Sequence, residues 1–245
     1  MWFGRKKQQD RRFCLPSGTR VYAIGDVHGR LDLLEAAFRR IDADIALASA
    51  PRIVEITLGD YVDRGPSSRQ VIDALIARQK RTRLIAIKGN HEDLFASCLK
   101  DKKSLDTWLA LGCVPTLSSY GIKISHERNE DLTLELADRL QKAIPQKHKD
   151  WLSGLPTSHS CGDFLFVHAG IRPEVPLDAQ SERDLMWIRD DFLDSDALFE
   201  KFVVHGHTPV IKPDIRRNRA NIDTGAYATN VLTCLRIEED RLTFI

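Results

Sequence analysis

Three apolar, β-type runs within the first ninety residues all stop in the same way. "RVYAIGD", "RIVEITLGD" and "RLIAIKGN" each end in a Gly followed at once by a ligand-type side chain: Gly25-Asp26, Gly59-Asp60 and Gly89-Asn90. The intervals of 34 and 30 residues match the roughly 30-residue repeat of a β-α-β unit. Between the runs, Leu31, Leu34, Phe38 and Ile41, and then Val71, Ile72, Leu75 and Ile76, recur at helical spacing. Alternation of this kind predicts an α/β fold with a largely parallel sheet layer. Successive loops then converge at the carboxyl edge of that sheet, where such proteins place their sites.

Each junction carries further functional side chains: His28 in "GDVHG", Asp63 and Arg64 in "GDYVDRG", His91 and Glu92 in "GNHE". Later β-type runs add His168 in "FVHAG" and His207 in "HGHTP". Asp26, His28, Asp60, Asn90, His168 and His207 together form a carboxylate, amide and imidazole set. Two adjacent divalent cations sharing one carboxylate need roughly that inventory. Without thiolate, such donors suit Mn²⁺ first, with Fe or Zn as alternatives. A lone Gly-Asp at a strand end is usually a turn or a helix cap; it is the recurrence at five junctions that points to a metal centre.

From about residue 91 to 155 the pattern turns helical and more polar, with "DLTLELADRLQKAI" and "QKHKDWLSGLP" as helices. After Phe164 short β-type runs return in close succession, predicting a second, mixed or antiparallel layer. The domain reading is a basic, flexible leader over 1–15 and a single domain over 16–245. No apolar stretch of about 7–15 residues follows the leader's charges, so it does not read as a secretory signal. Nor is any run long enough to span a membrane. Five dispersed cysteines fit reduced thiols and a cytoplasmic setting. With 36 Lys and Arg against 35 Asp and Glu, the chain lacks the basic field of a nucleic-acid binder. Oligomeric state is not readable.

"GDVHG", "GDYVDRG" and "GNHE", with the later "HAG" and "HGHTP", resemble the signature motifs of PPP-type phosphoprotein phosphatases, within the calcineurin-like metallophosphoesterase superfamily. In length and in its "LMWIRDDF" segment the chain is similar to the compact bacterial and bacteriophage lambda type. The resemblance implies a β-sandwich flanked by helices, with the site at one end. It implies that Asp26 and His28 hold one metal, that Asp60 bridges, and that Asn90, His168 and His207 complete the second. It also implies His91 as general acid with Asp63 as partner, and Arg64 and Arg189 as phosphate clamps. The implied reaction is hydrolysis of phosphoserine or phosphothreonine in phosphoproteins, with phosphotyrosine as a further candidate, by in-line attack of a metal-bridging hydroxide.

The residue types suit those roles. Guanidinium groups meet phosphoryl oxygens with charge-assisted hydrogen bonds, and a serine alkoxide needs the proton that His91 can give. Arg189 stands among Asp184, Asp190 and Asp191, so an ordinary ion pair competes for it. His205, two residues before His207, would share its face in an extended strand; the resemblance favours His207 as ligand and a supporting place for His205. Tyr227 is a candidate to overhang the site. His126, His148 and His159 read as solvated. The rival enzyme is a symmetrical diadenosine tetraphosphate hydrolase, a branch that usually lacks Asp63 and carries GNHD; the remote rival is a non-catalytic scaffold.

Overall fold

The computed structural model describes residues 12–47, 52–123 and 130–245. In the amino-terminal part β1 (Thr19–Ile24), α1 (Leu31–Ala46), β2 (Arg52–Thr57), α2 (Ser68–Gln79) and β3 (Leu84–Ala86) follow in the expected alternation. The helical segment holds α3 (Asn90–Lys100), α4 (Leu105–Ala110), α5 (Val114–Ser119), α6 (Glu130–Ala143) and α7 (Gln146–Ser153). Then come β4 (Ser158–Cys161), β5 (Phe164–Val167), α8 (Glu182–Trp187), α9 (Asp190–Leu193), β6 (Phe202–His205), β7 (Asp214–Ile215), β8 (Arg219–Asn221), α10 (Ala226–Thr229), β9 (Cys234–Glu238) and β10 (Arg241–Phe244).

Two mixed sheets result, in the orders β10-β9-β1-β2-β3 and β4-β5-β6-β8-β7. The β1, β2 and β3 strands are parallel, and Ile24 pairs with Thr57, which pairs with Ala86. Their carboxyl ends are therefore level, and the three Gly-ligand junctions emerge side by side. The second sheet is parallel along β5, β6 and β8.

Strand alternation assigns each residue a face. Val21 and Ala23 of β1 meet Phe164 and Phe166 of β5 and Phe202 and Val204 of β6 between the sheets. Tyr22 and Ile24 point the other way, into the core under α1, α2 and the helical segment. Strands buried on both faces read as unbroken apolar runs, which is why "RVYAI" is so legible. Leu165, Val167 and Val203 face outward beneath Leu185, Ile188 and Phe192 around α8 and α9.

Two expectations need correction, the extent of the leader and the solvated histidines. Phe13 and Leu15 are buried between the sheets, so the fold begins before the leader's expected end at residue 15; residues 1–11 lie outside the described residues. His148 is fully buried, not solvated: its ring contacts the Tyr120 hydroxyl at Nδ1 (2.7 Å) and the Asp73 carboxylate at Nε2 (3.0 Å). His159 is half-buried on β4, and His126 lies outside the described residues. Arg189 is not taken by the nearby aspartates; Arg172 pairs with Asp184 and Asp191, at 2.7 and 2.9 Å. Among the described residues no helix is long and apolar enough to cross a membrane.

Candidate metal centre

The loops at the level strand ends are held in a strained backbone. Among the described residues, His28, Asp60, Asp63, Arg64 and His207 all have positive φ, between 43° and 71°. Such conformations cost roughly 1–3 kcal/mol each in non-glycine residues and persist only where the surroundings dictate them. Much of that dictation comes from Glu92. Its fully buried carboxylate accepts hydrogen bonds from the backbone N–H of Asp60 (2.8 Å), Tyr61 (2.7 Å) and Gly89 (3.0 Å). The "GNHE" glutamate thus pins the Asp60 loop to the start of α3.

Six buried side chains converge above this frame. His28 donates its Nδ1 proton to the Val62 carbonyl (2.8 Å), and His168 donates its own to Leu58 (2.9 Å). A carbonyl can only accept, so each ring turns an unprotonated Nε2 inward. His28 Nε2 lies 3.4 Å from Asp60 Oδ2; His168 Nε2 lies 3.4 Å from Asp60 Oδ1 and 2.9 Å from Asn90 Oδ1. His207 Nδ1 is 2.9 Å from the same Asn90 oxygen and 3.1 Å from His168 Nε2. The ligand-type atoms fall into two groups within 4.8 Å, His28/Asp60/His91 and Asp60/His168/His207, which share Asp60.

Lone pairs facing lone pairs in a buried site are resolved by a cation, and the donor set fits divalent metals. Asp26 Oδ1 adds to this, being buried without any hydrogen-bond partner. Asp26 lies beside the two groups, its Oδ2 accepting the His207 N–H (3.0 Å). Gly206 makes that approach possible, since a Cβ there would come within 2.0 Å of Asp26 Oδ1.

The electrostatics agree. Burial, against the pull of Asp60, drives His28 down to about 3, and burial reinforced by His168 drives His207 to about 2, so both imidazoles are neutral. Burial opposes ionisation of Asp60, but the surrounding imidazoles, His168 and the proton-bearing His91 foremost, outweigh it and hold its carboxyl below the ordinary range. Asp26 is pushed well above its usual value by burial and then by Asp223 and Asp60. Excess negative charge at that corner is what a dication would neutralise.

Around the centre, His91 Nδ1 donates to Asp63 Oδ2 (2.6 Å), and Asp63 also accepts from Trp108 Nε1 (2.7 Å) and Thr116 Oγ1 (2.6 Å). Burial lowers the His91 pKa, yet Asp60 and Asp63 raise it above the ordinary value overall. Arg64 is exposed, donates to His28 Nε2 (3.0 Å) and stacks 4.8 Å above the Tyr227 ring. Arg189, also exposed, donates to Thr208 Oγ1 (3.2 Å), beside His207. His205 does not share the face of His207: it ends β6 on the outward side, its ring 4.9 Å from that of Phe192, while the positive φ of His207 turns the chain inward.

Residues 19–232 match the calcineurin-like phosphoesterase family. The chain belongs to that family. Over 239 residues this phosphoesterase is 24% identical to the bis(5'-nucleosyl)-tetraphosphatase PrpE [asymmetrical] of Oceanobacillus iheyensis, covering 90% of this chain and 89% of that one. Its fold is similar to that of a putative diadenosine tetraphosphatase, with TM-score 0.63 and 20% identity over 94% of this chain and 95% of the other. A cold-active protein tyrosine phosphatase gives TM-score 0.60 at 20% identity, over 94% and 78%. These likenesses establish the α/β sandwich of the phosphoesterase, not its substrate. Sequence reading missed Asp223, which is buried beside Asp26 and raised to about 6 by burial and Asp60. In "NIDTG" an Asp again stands just past a strand end, although it precedes its Gly instead of following it, so strand-end placement was the signal that could have found it.

Proposed function

We propose that this phosphoesterase hydrolyses nucleoside-phosphate anhydrides of the diadenosine tetraphosphate class. The reaction type rests on Asp60, whose Oδ2 faces His28 and whose Oδ1 faces His168, so that it is shared between two groups of ligand-type atoms. The substrate class rests on the near full-length similarity to a bis(5'-nucleosyl)-tetraphosphatase. This displaces phosphoprotein monoesters as the first reading. The positions that favoured a phosphatase, Asp63 and Glu92, are spent on His91 and on loop N–H groups, so they do not select a substrate.

Divalent cations, Mn²⁺ as the test metal, would be held by Asp26, His28, Asp60, Asn90, His168 and His207 and supply an acidified water and charge neutralisation at the phosphate. Arg64 and Arg189 stand at the edges of the centre and would hold phosphoryl oxygens as charge accumulates on them. His91, hydrogen-bonded to Asp63, would hold a proton for the leaving group.

That proton supports a second reading. An anhydride leaves as a stable phosphate anion, whereas a serine or tyrosine ester gains far more from an acid. The buried His91–Asp63 pair therefore favours phosphoprotein esters as additional substrates. Cys14, Cys98, Cys161 and Cys234 form no disulfide, which supports a cytoplasmic setting. Metal-stripped protein, reloaded with Mn²⁺ and offered diadenosine tetraphosphate, a phosphoserine peptide and a phosphotyrosine peptide, tests both readings. Mn²⁺-dependent dinucleotide turnover that disappears in Asp60→Asn is expected; turnover of peptides alone would reverse the order of the two readings.

A further inference from the structure

The candidate ligands come from loops that follow strands, but two of the groups that hold those loops come from the helical segment. Trp108 lies on α4 and Thr116 on α5, and both are fully buried. With Gly112 between them they recur every four residues, and all three grip the Asp63–Arg64 pair. Trp108 Nε1 donates to Asp63 Oδ2 (2.7 Å), and Thr116 Oγ1 donates to Asp63 Oδ1 (2.6 Å). The Gly112 carbonyl accepts the Arg64 N–H (3.1 Å).

The Thr116 hydroxyl is fully used. It gives its one proton to the Asp63 carboxylate, so it accepts from the Asp63 backbone N–H (2.8 Å) and from Ser68 Oγ (2.8 Å). A single hydroxyl therefore fixes both the carboxylate and the backbone of a residue whose φ is 71°. The terminal torsion of an aspartate is broad on its own, and donors from two directions narrow it. His91 Nδ1 donates to the same oxygen that Trp108 reaches, so the plane of the carboxylate sets the tilt of the imidazole and the direction of its Nε2. That nitrogen lies 3.4 Å from Arg64 Nη2. Trp108 is in turn stacked on Phe95 of α3, four residues past His91, with ring centroids 4.8 Å apart.

We infer that Thr116 and Trp108 are positioning residues for the proton donor: through Asp63 they aim His91, and with Gly112 they hold Arg64 at a set distance from it. The inference rests on the reading of His91 as an acid and goes beyond it by giving the helical segment a part in the chemistry. Being fully buried, both side chains act through Asp63 and not on the substrate. Loss of the Thr116 hydroxyl takes a donor from Asp63 Oδ1 and frees the carboxylate to turn, and the imidazole turns with it.

The test is Thr116→Val, which keeps the shape and removes the hydroxyl, read against Thr116→Ser, which keeps the hydroxyl, each also in a His91→Asn background. In Mn²⁺-loaded protein, Thr116→Val should slow hydrolysis of a phosphoserine peptide about tenfold or more, the scale of one hydrogen bond to a charged group, and Thr116→Ser should retain most of the rate. In His91→Asn the same change should cost nothing further, because its effect passes through His91. A readout free of turnover is the Nδ1 proton of His91 in Zn²⁺-loaded protein labelled with ¹⁵N-histidine: its resonance should move in Thr116→Val and stay near the wild-type position in Thr116→Ser. A wild-type rate or a wild-type resonance in Thr116→Val, or an equal loss in both backgrounds, would overturn the inference. If the protein cleaves no ester, or if His91→Asn slows ester and dinucleotide alike, the acid reading falls and the resonance alone decides whether the two side chains aim His91. Trp108→Phe, which removes the other donor, carries the same readouts should Thr116→Val not fold.

Discussion

Replacing His91 by Asn separates two roles that the geometry allows it. As an acid, His91 acts through a proton held by Asp63 at 2.6 Å; as a ligand, it belongs to the His28/Asp60/His91 group. Loss of a general acid costs about 10²–10⁴ in rate, or roughly 2.7–5.5 kcal/mol at 1.36 kcal/mol per decade. That loss should fall on the poor alkoxide leaving group of a phosphoserine peptide. Hydrolysis of diadenosine tetraphosphate, whose leaving group needs no proton, should drop by less than about tenfold, because only the acid component is removed. The pH profile adds a second readout. Asp60 and Asp63 raise the His91 pKa, so imidazolium persists to higher pH and ester cleavage declines only above that raised value. In Asp63→Asn, burial and Arg64 are left with less opposition, and the decline should begin at lower pH. Steady-state kinetics on both substrates, with bound Mn²⁺ measured by elemental analysis, would decide. Equal losses on the two substrates, together with lost metal, would refute the acid assignment and make His91 a ligand.

Two further predictions concern stability. Arg78 forms a buried fork with Glu55, with Nε and Nη2 both at 2.8 Å, and also bonds Asp42, tying α2 to β2 and α1. Arg78→Leu leaves Glu55 charged and buried, so it should cost about 3–5 kcal/mol and roughly 6–20 °C in Tm by calorimetry; a shift under about 2 °C would show that water reaches Glu55. His205 is fully buried and burial lowers it from 6.5 to about 3. The unfolded chain binds this proton first, so the stability contribution is complete above pH 6.5 and is lost as pH falls toward 3. At pH 5 the loss is about 2 kcal/mol relative to pH 7, and urea titrations of metal-free His205→Leu should show a decline smaller by that amount. Identical declines in wild type and variant would mean that the folded protein takes up the proton as readily as the unfolded chain.

The site was legible because strand-end placement, not side-chain identity alone, encodes it. A Gly-Asp at one strand end means little, but level strands force successive junctions to one edge, so Asp26, Asp60 and Asn90 had to meet once the alternation was recognised. His168 and His207 follow from the same rule applied to β5 and β6. What escaped depended on details that periodicity does not carry. His148 sits at a helical position with polar neighbours and looks solvated, yet Tyr120 and Asp73 satisfy both ring nitrogens and permit its burial. His205 and His207 share spacing with an extended strand, and only the positive φ at His207 separates them. Phe13 and Leu15 belong to a segment whose basic residues dominate its composition, while the alternating apolar pair completes the core between the sheets.

Substrate was the least legible property, and the structure supplies the reason. Comparing the "VDRG" and "GNHE" positions assumes that those side chains meet the substrate. Glu92 instead meets backbone N–H groups of its own loop, and Asp63 meets His91, Trp108 and Thr116. Such residues fix where the candidate ligands and His91 stand, a requirement common to esters and anhydrides. Discrimination must come from surfaces that only one substrate reaches. The "LMWIRDDF" segment, read first as a mark of kinship and a source of one phosphate clamp, lines a cavity of about 790 Å³ through Met186, Trp187, Ile188 and Arg189, and is where variants that separate the two chemistries are to be sought.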